Sequence, residues 1–262
     1  MRKIVLLTVA SLLAITAVAY AAVTNTVSYT GKVAYKGKPT TKKPVAVGYT
    51  GTLHIDTNPS GQQPETAPIT SVYFAKGFKN NAAYFPFCNM TEIDGQPAIP
   101  AKCKKAIVGS GTASALAGTP GSPSSQSVRE DLSVTAMNGP KGKSFYLILN
   151  SKPGAPVAIT NRVVPAKVIK SSGAFAFLLR FSIPADLQEQ LGLSISLVDF
   201  NVKVSNALKT VKVKTKKVKL SYLQLTSCKG SLPNKAIAQF KHTDDAGQQS
   251  TLPVTATGSI KC

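Results

Sequence analysis

Two short pairs, His54-Ile55-Asp56 and His242-Thr243-Asp244, come nearest to a catalytic or metal-binding pattern in this chain, and they use both of its histidines. Residues i and i+2 share one face of a β-strand, so each pair would set an imidazole beside a carboxylate. Neighbouring strands would bring two imidazoles and two or three carboxylates together, a donor set suited to a transition metal. The plainer reading is structural. Each pair runs into a turn, at Asp56-Thr57-Asn58-Pro59 and Asp244-Asp245-Ala246-Gly247, where Asp and Asn side chains bond to nearby backbone. Hydrolase signatures are missing. There is no G-x-S-x-G elbow and no S-x-x-K, and Gly109-Ser110-Gly111 reads as a strand bulge or bend. Adjacent acids such as Glu130-Asp131 point to opposite faces of a strand, so paired acids for sugar hydrolysis would have to come from separate strands. The expectation is a non-enzymatic protein that needs no cofactor. A metal-binding protein or metal-dependent enzyme built on His54, Asp56, His242 and Asp244 is the alternative.

Charge is the strongest signal. The 262 residues carry 31 Lys plus Arg against 11 Asp plus Glu, a formal charge of +20. Nearly all the basic residues are Lys. One cluster is Lys32, Lys36, Lys38, Lys42 and Lys43; the densest runs through Lys203, Lys212, Lys214, Lys216, Lys217 and Lys219. Read as one strand, the second places Lys212, Lys214 and Lys216 on a single face opposite Val211 and Val213, with a bulge or tight turn where the alternation breaks at Lys216-Lys217. Such a strip attracts polyanions through a field felt over about 10 Å at moderate salt. Lys in place of Arg favours diffuse contact over planar bidentate recognition. Anionic cell-wall polymers, acidic polysaccharides and anionic lipid surfaces fit as partners. Nucleic acid does not, since no helix-turn-helix, zinc finger or aromatic RNA-binding motif is present and no aromatic interrupts Lys209–Lys219. The competing use of the lysines is to keep an exposed strand edge from pairing and the surface soluble. A protein-interaction module with a merely solubilising basic face is the remaining reading.

Residues 1–21 read as a secretory signal: Arg2 and Lys3, an apolar stretch from Ile4 to Val18, then small-x-small sites at Ala17-Val18-Ala19 and Ala19-Tyr20-Ala21. An uncleaved anchor is the rival, since Ile4 to Val23 is just long enough to span a bilayer. Four cysteines, Cys88, Cys103, Cys228 and Cys262, agree with export and admit three disulfide connectivities. The sequential pairing, Cys88–Cys103 and Cys228–Cys262, closes the shortest loops and is the one expected. Zinc is disfavoured because no C-x-x-C spacing occurs. The location expected is secreted or cell-surface associated.

What must position these residues is β-structure. Apolar residues alternate at period two nearly everywhere, as in Val45, Val47, Tyr49, Leu53 and Ile55 or in Phe175, Phe177, Leu179, Phe181 and Ile183. One helical turn is expected at Pro184–Leu191, stopped by Gly192. An all-β, antiparallel β-sandwich of about ten to twelve short strands follows, with little helix. Residues 22–262 are expected to be one domain, with the Thr/Pro/Gly/Ser run at 118–127 as the one candidate subdivision.

Several pieces in order resemble uncharacterised secreted proteins of actinobacteria. They are Phe85-Pro86-Phe87-Cys88, Cys103 leading to Val108-Gly109-Ser110-Gly111-Thr112-Ala113, Met137-Asn138-Gly139-Pro140, Ser221-Tyr222-Leu223 before Cys228, and Gln239-Phe240 to Asp245 before Cys262. The resemblance covers about residues 50 to 262. It implies export and a cysteine-paired β-sandwich fold, and it implies no activity.

Overall fold

A computed structural model describes residues 23–243 and 248–262. The export signal expected at 1–21 and Asp244 of the second His-x-Asp pair lie outside the described residues. The strands, in chain order, are β1 (Thr24–Tyr35), β2 (Val45–Asn58), β3 (Ile69–Ala75), β4 (Phe78–Asn80), β5 (Ile107–Gly118), β6 (Val128–Asn138), β7 (Ser144–Ser151) and β8 (Arg162–Lys170), followed by β9 (Phe175–Ser182), β10 (Glu189–Gln190), β11 (Leu193–Val204), β12 (Lys209–Val213), β13 (Lys216–Leu220), β14 (Leu223–Leu225), β15 (Ser231–Thr243) and β16 (Gln249–Lys261). All recorded pairings between strands are antiparallel, as expected for an all-β chain without helical crossovers.

The sheet order runs β16-β15-β3-β9-β8-β7-β6-β5-β11-β2-β14-β4, with β1 on the other edge of β2. It curls until β1 lies against β16 and β15: a Cβ built on Gly31 would meet Ile260, and the Asn234 amide donates to the Tyr29 carbonyl at 3.3 Å. The facing layers are therefore halves of one barrel-like sheet. Its interior is lined by alternate residues of every long strand from β1 to β11, among them Leu53, Val72, Ala113, Leu132, Leu147, Val164, Phe181 and Val202. They enclose an apolar cavity of about 170 Å³.

Local devices keep that face apolar. In β11 the inward residues are Ile195 and Leu197, then Phe200, Val202 and Val204. The phase changes because the register slips between Leu197 and Asp199, a bulge that returns the apolar residues inward and sends Asp199 out. The Gly109-Ser110-Gly111 run has a related use. A Cβ on Gly109 would stand 2.2 Å from the Lys203 carbonyl and one on Gly111 2.0 Å from that of Asn201, so β5 can approach β11 this closely only without side chains there.

One end of the interior is filled by aromatics. Phe74 stacks on Phe177 with centroids 4.7 Å apart, and Tyr49 and Phe78 meet Phe74 at 5.0 and 5.5 Å. The hydroxyls of Tyr29 and Tyr49 share a hydrogen bond of 2.5 Å, and burial pushes the Tyr49 phenol up to about 12 and that of Tyr29 well above its ordinary value. A second, smaller core lies on the outer face of β6–β8. There the segment after β4 lays Cys88, Ile93, Cys103 and Ala106 over Met137, Tyr146, Ile148 and Val163.

The helical turn expected at Pro184–Leu191 is shorter than its sequence pattern. Only Ala185–Leu187 forms a single 3-10 turn, and Glu189–Gln190 pairs with Leu193 and Ser194 of β11. Leu191 (φ 52°) and Gly192 (φ 76°) form a two-residue hairpin loop with both φ positive, so the glycine that reads as a helix stop serves a β-turn. The run at 118–127 links β5 to β6, which are neighbours in the same sheet.

Two expectations follow. Gly111→Ala should destabilise by about 1–3 kcal/mol, because the methyl group must push β11 away, and denaturant unfolding would read the loss. For the tyrosines the folded-state pKa lies above the unfolded value near 10, so their contribution is complete below that pH and is lost as pH rises through about 12. In an alkaline titration Tyr29 and Tyr49 should ionise together with the loss of β circular dichroism; ionisation near pH 10 in the intact fold would contradict this.

Candidate functional site

Strand order brings the two lysine clusters to one end of the barrel. β1 ends, β2 and β5 begin and β11 ends at this end, as Tyr35↔Val47, Val204↔Tyr49 and Val204↔Gly109 require. The β1–β2 connection carries Lys36, Lys38, Lys42 and Lys43, all exposed, and the segment after β11 carries Lys209–Lys219. Lys203 and Lys32 stand on either side of Thr50 in the same cross-strand row. The connection before β5 adds Lys104 and Lys105, whose backbone carbonyl at Lys105 accepts from Lys209 Nζ at 3.1 Å, and the β6–β7 turn adds Lys141 and Lys143. Most acids among the described residues are elsewhere. Asp56, Glu65, Glu130, Asp131, Asp186 and Glu189 belong to the opposite end, where β2 and β5 finish and β6 and β11 begin. Among the described residues the lysines of the two clusters make no ion pair.

The lysine-rich run is not one strand. β12 and β13 form a separate two-stranded hairpin closed by Lys214 and Thr215, with Lys214 at φ 53°. The turn falls two residues before the break in alternation, so Lys212, Lys214 and Lys216 do not share a strand face. Instead Lys212 faces Lys217 and Thr210 faces Lys219 on the outer side, while Val211 and Val218 are paired and turn inward with Val213 and Leu220. Lys216 pairs with Val213. Like charges directly opposed across strands are destabilising, so the hairpin carries an electrostatic strain that an anion would relieve. Beside it runs an open groove lined by Tyr84, Phe85, Phe87, Lys141 and Lys212. Tyr84 is 44% and Phe87 50% exposed, large aromatic surfaces lining the same groove as the ammonium groups of Lys141 and Lys212.

The disulfides are Cys88–Cys103 and Cys228–Cys262, with Cα atoms 5.2 and 5.4 Å apart. The first closes the segment that carries Lys102 and begins next to Phe87, and the second ties the end of β16 to the start of β15. Glu92 caps its own turn and pairs with Lys102, which together hold its carboxyl below the usual carboxylate range. Two residues on, Asp94 pairs with Arg162 and accepts from the Val163 amide at 2.9 Å. Arg162 also grips Asp186 with two bonds of 2.7 and 2.6 Å, which lower the Asp186 carboxyl.

His54 has another partner than its sequence neighbour Asp56. His54 Nδ1 donates to Asp199 Oδ1 at 2.8 Å, whereas Asp56 accepts from the Thr57 amide at 2.8 Å and the Gly61 amide at 3.4 Å, the turn-capping use. His242 Nδ1 lies 3.5 Å from Glu65 Oε1. β2 and β15 are not paired in the sheet. The one group of three metal-ligating side chains that comes together among the described residues is Cys88, Glu92 and Cys103, whose sulfurs are spent in the disulfide.

Asp199, which sequence reading did not single out, lies 145 residues from His54. It joins a row across four strands, His54↔Asp199↔Ser114↔Asp131. Arg129 bridges Asp131 and Asp199 at 3.3 and 3.4 Å, and Ser114 donates to Asp131 at 2.5 Å. That hydroxyl therefore serves the carboxylate and not the imidazole, so the row is a set of cross-strand ion pairs. No local pattern could have revealed it, because Asp199 faces outward only through the bulge beside it.

Comparison with protein-family models, curated proteins and solved structures finds no match to this chain.

Removing the first disulfide as Cys88→Ala with Cys103→Ala should cost about 3 kcal/mol by loop entropy. The loss should loosen the segment over β6–β8 before the barrel itself. Hydrogen exchange of the Ile93 and Ala106 amides rising ahead of those in β7 would show it; a uniform rise would not.

Proposed function

We propose that this chain is exported and works non-enzymatically at or outside the cell envelope, attaching to anionic polymers through the lysine-bearing end of its barrel. The observation that carries this reading is the hairpin β12–β13, which holds Lys212 directly opposite Lys217 with no acid paired to either among the described residues. Edge protection needs lysines spaced along a strand; it does not need them opposed in pairs or gathered with Lys36, Lys38, Lys42 and Lys43 at one end. Two disulfides fit an oxidising compartment, and residues 1–21 have the pattern of an export signal. Ammonium groups on flexible stems suit the repeating phosphates or carboxylates of wall polymers, acidic polysaccharides or anionic lipid headgroups.

The test is co-sedimentation of the purified chain with isolated cell envelopes across a salt series, with heparin as a soluble polyanion competitor. Binding should be strong at low salt and fade by moderate salt. Reversing Lys212, Lys217 and Lys219 to Glu should weaken it at least about tenfold. Lys217→Glu alone should stabilise the hairpin by about 0.2–1 kcal/mol through the new opposite-charge pair while weakening binding. That combination separates lost charge from lost folding. Binding that ignores salt, or that survives the triple reversal, would overturn the electrostatic reading.

A further inference from the structure

Among the described residues one charged side chain lines the barrel interior, and they give it nothing to bind. Glu130 lies on β6 and is 7% exposed. Both its carboxylate oxygens are enclosed without a hydrogen-bond partner among the described residues. It belongs to the lining of the 170 Å³ cavity, and its cross-strand partners are Ala115 and then Leu197. The adjacent cation does not help: Arg129 is on the opposite face of β6, paired with Asp131 and Asp199 outside the barrel.

Most other polar groups of the lining are already committed. Thr66 donates to the Ile195 carbonyl at 2.8 Å, Gln190 donates to the Asp186 carbonyl at 3.0 Å, and the Tyr29 and Tyr49 hydroxyls hold each other. A carboxylate in an apolar enclosure strongly favours any donor, and above all a cation, that can reach it. The described residues supply none, which leaves the complement to a ligand. The remaining wall is hydrocarbon, and a comparable apolar cavity of about 150 Å³ accepts a benzene-sized molecule. At this end of the barrel the lining includes Gln190, and the residue next to it, Leu191, is 100% exposed at the tip of the β10–β11 loop. An apolar side chain displayed there gives an amphiphile a first contact outside the cavity.

We propose that the barrel interior is a binding site for a small organic amine, its apolar body among Leu132, Leu149 and Ile159 and its ammonium group on Glu130. The site is independent of the lysine hairpin, which emerges from the other end.

The experiment is isothermal titration of the intact chain with benzylamine, benzyl alcohol and toluene, three probes with the same ring and different heads. Benzylamine should bind about 10- to 100-fold tighter than toluene, the range of a charge-assisted hydrogen bond. Benzyl alcohol should fall between them. In Glu130→Gln the amine preference should collapse to within a few-fold while toluene binding persists, which shows that the cavity is intact. Leu132 and Leu149 methyl resonances should shift with each bound probe. Three results would overturn the proposal: equal affinity of the wild-type chain for benzylamine and toluene, as when water alone fills the site; an amine preference that survives Glu130→Gln; or no binding of any probe. The head-group comparison on the wild-type chain keeps the test decisive even if the variant folds poorly.

Discussion

Closure of a single sheet around hydrocarbon is the constraint on which the rest of this structure depends. A curled sheet whose first and last strands lie together must present an apolar residue at every second position, because an unmatched polar group inside has no water to satisfy it. The bulge at Val198, the bare backbone at Gly109 and Gly111 and the aromatic packing around Phe74 all serve that requirement. Each also has an external consequence. The bulge that turns Phe200 inward is what turns Asp199 outward to His54 and Arg129.

The same closure sorts charge. Antiparallel connections return each strand to the end from which its neighbour left, so residues far apart in sequence gather at two rims. Lysines of the β1–β2 connection, the segment before β5, the β6–β7 turn and the β12–β13 hairpin share one rim, and most carboxylates share the other. At a formal charge of +20 mutual repulsion opposes compaction. The disulfide that fastens β16 and the ion pairs of Arg162 hold exposed parts of the chain against it. Glu130 departs from the requirement for an apolar interior. Departures of this kind mark the places where a chain gives up local consistency for a use.

Much of this was legible in the sequence. The period-two pattern predicts the strands because burial on one face imposes it directly, and Val45, Tyr49, Leu53 and Ile55 fall in β2 as the alternation requires. The sequential disulfides follow the same local logic of short loops. Where a residue has two local uses the sequence misleads. Gly192 ends a helix or forms a hairpin loop, and pairing of Glu189–Gln190 with β11 decided for the hairpin. The turn at Lys214–Thr215 carries no glycine or asparagine to announce it.

Composition and alternation alone determined that the chain is basic, all-β and cross-linked by cysteines, since these depend on residue type and on neighbours a few positions away. Tertiary structure alone decided that His54 meets Asp199 and not Asp56, that Lys212 opposes Lys217, and that Glu130 faces a cavity rather than solvent. The physical reason is register. Which residues share a row, a rim or an interior is set by how distant strands slide past one another before their hydrogen bonds lock, and no short stretch of sequence contains that information.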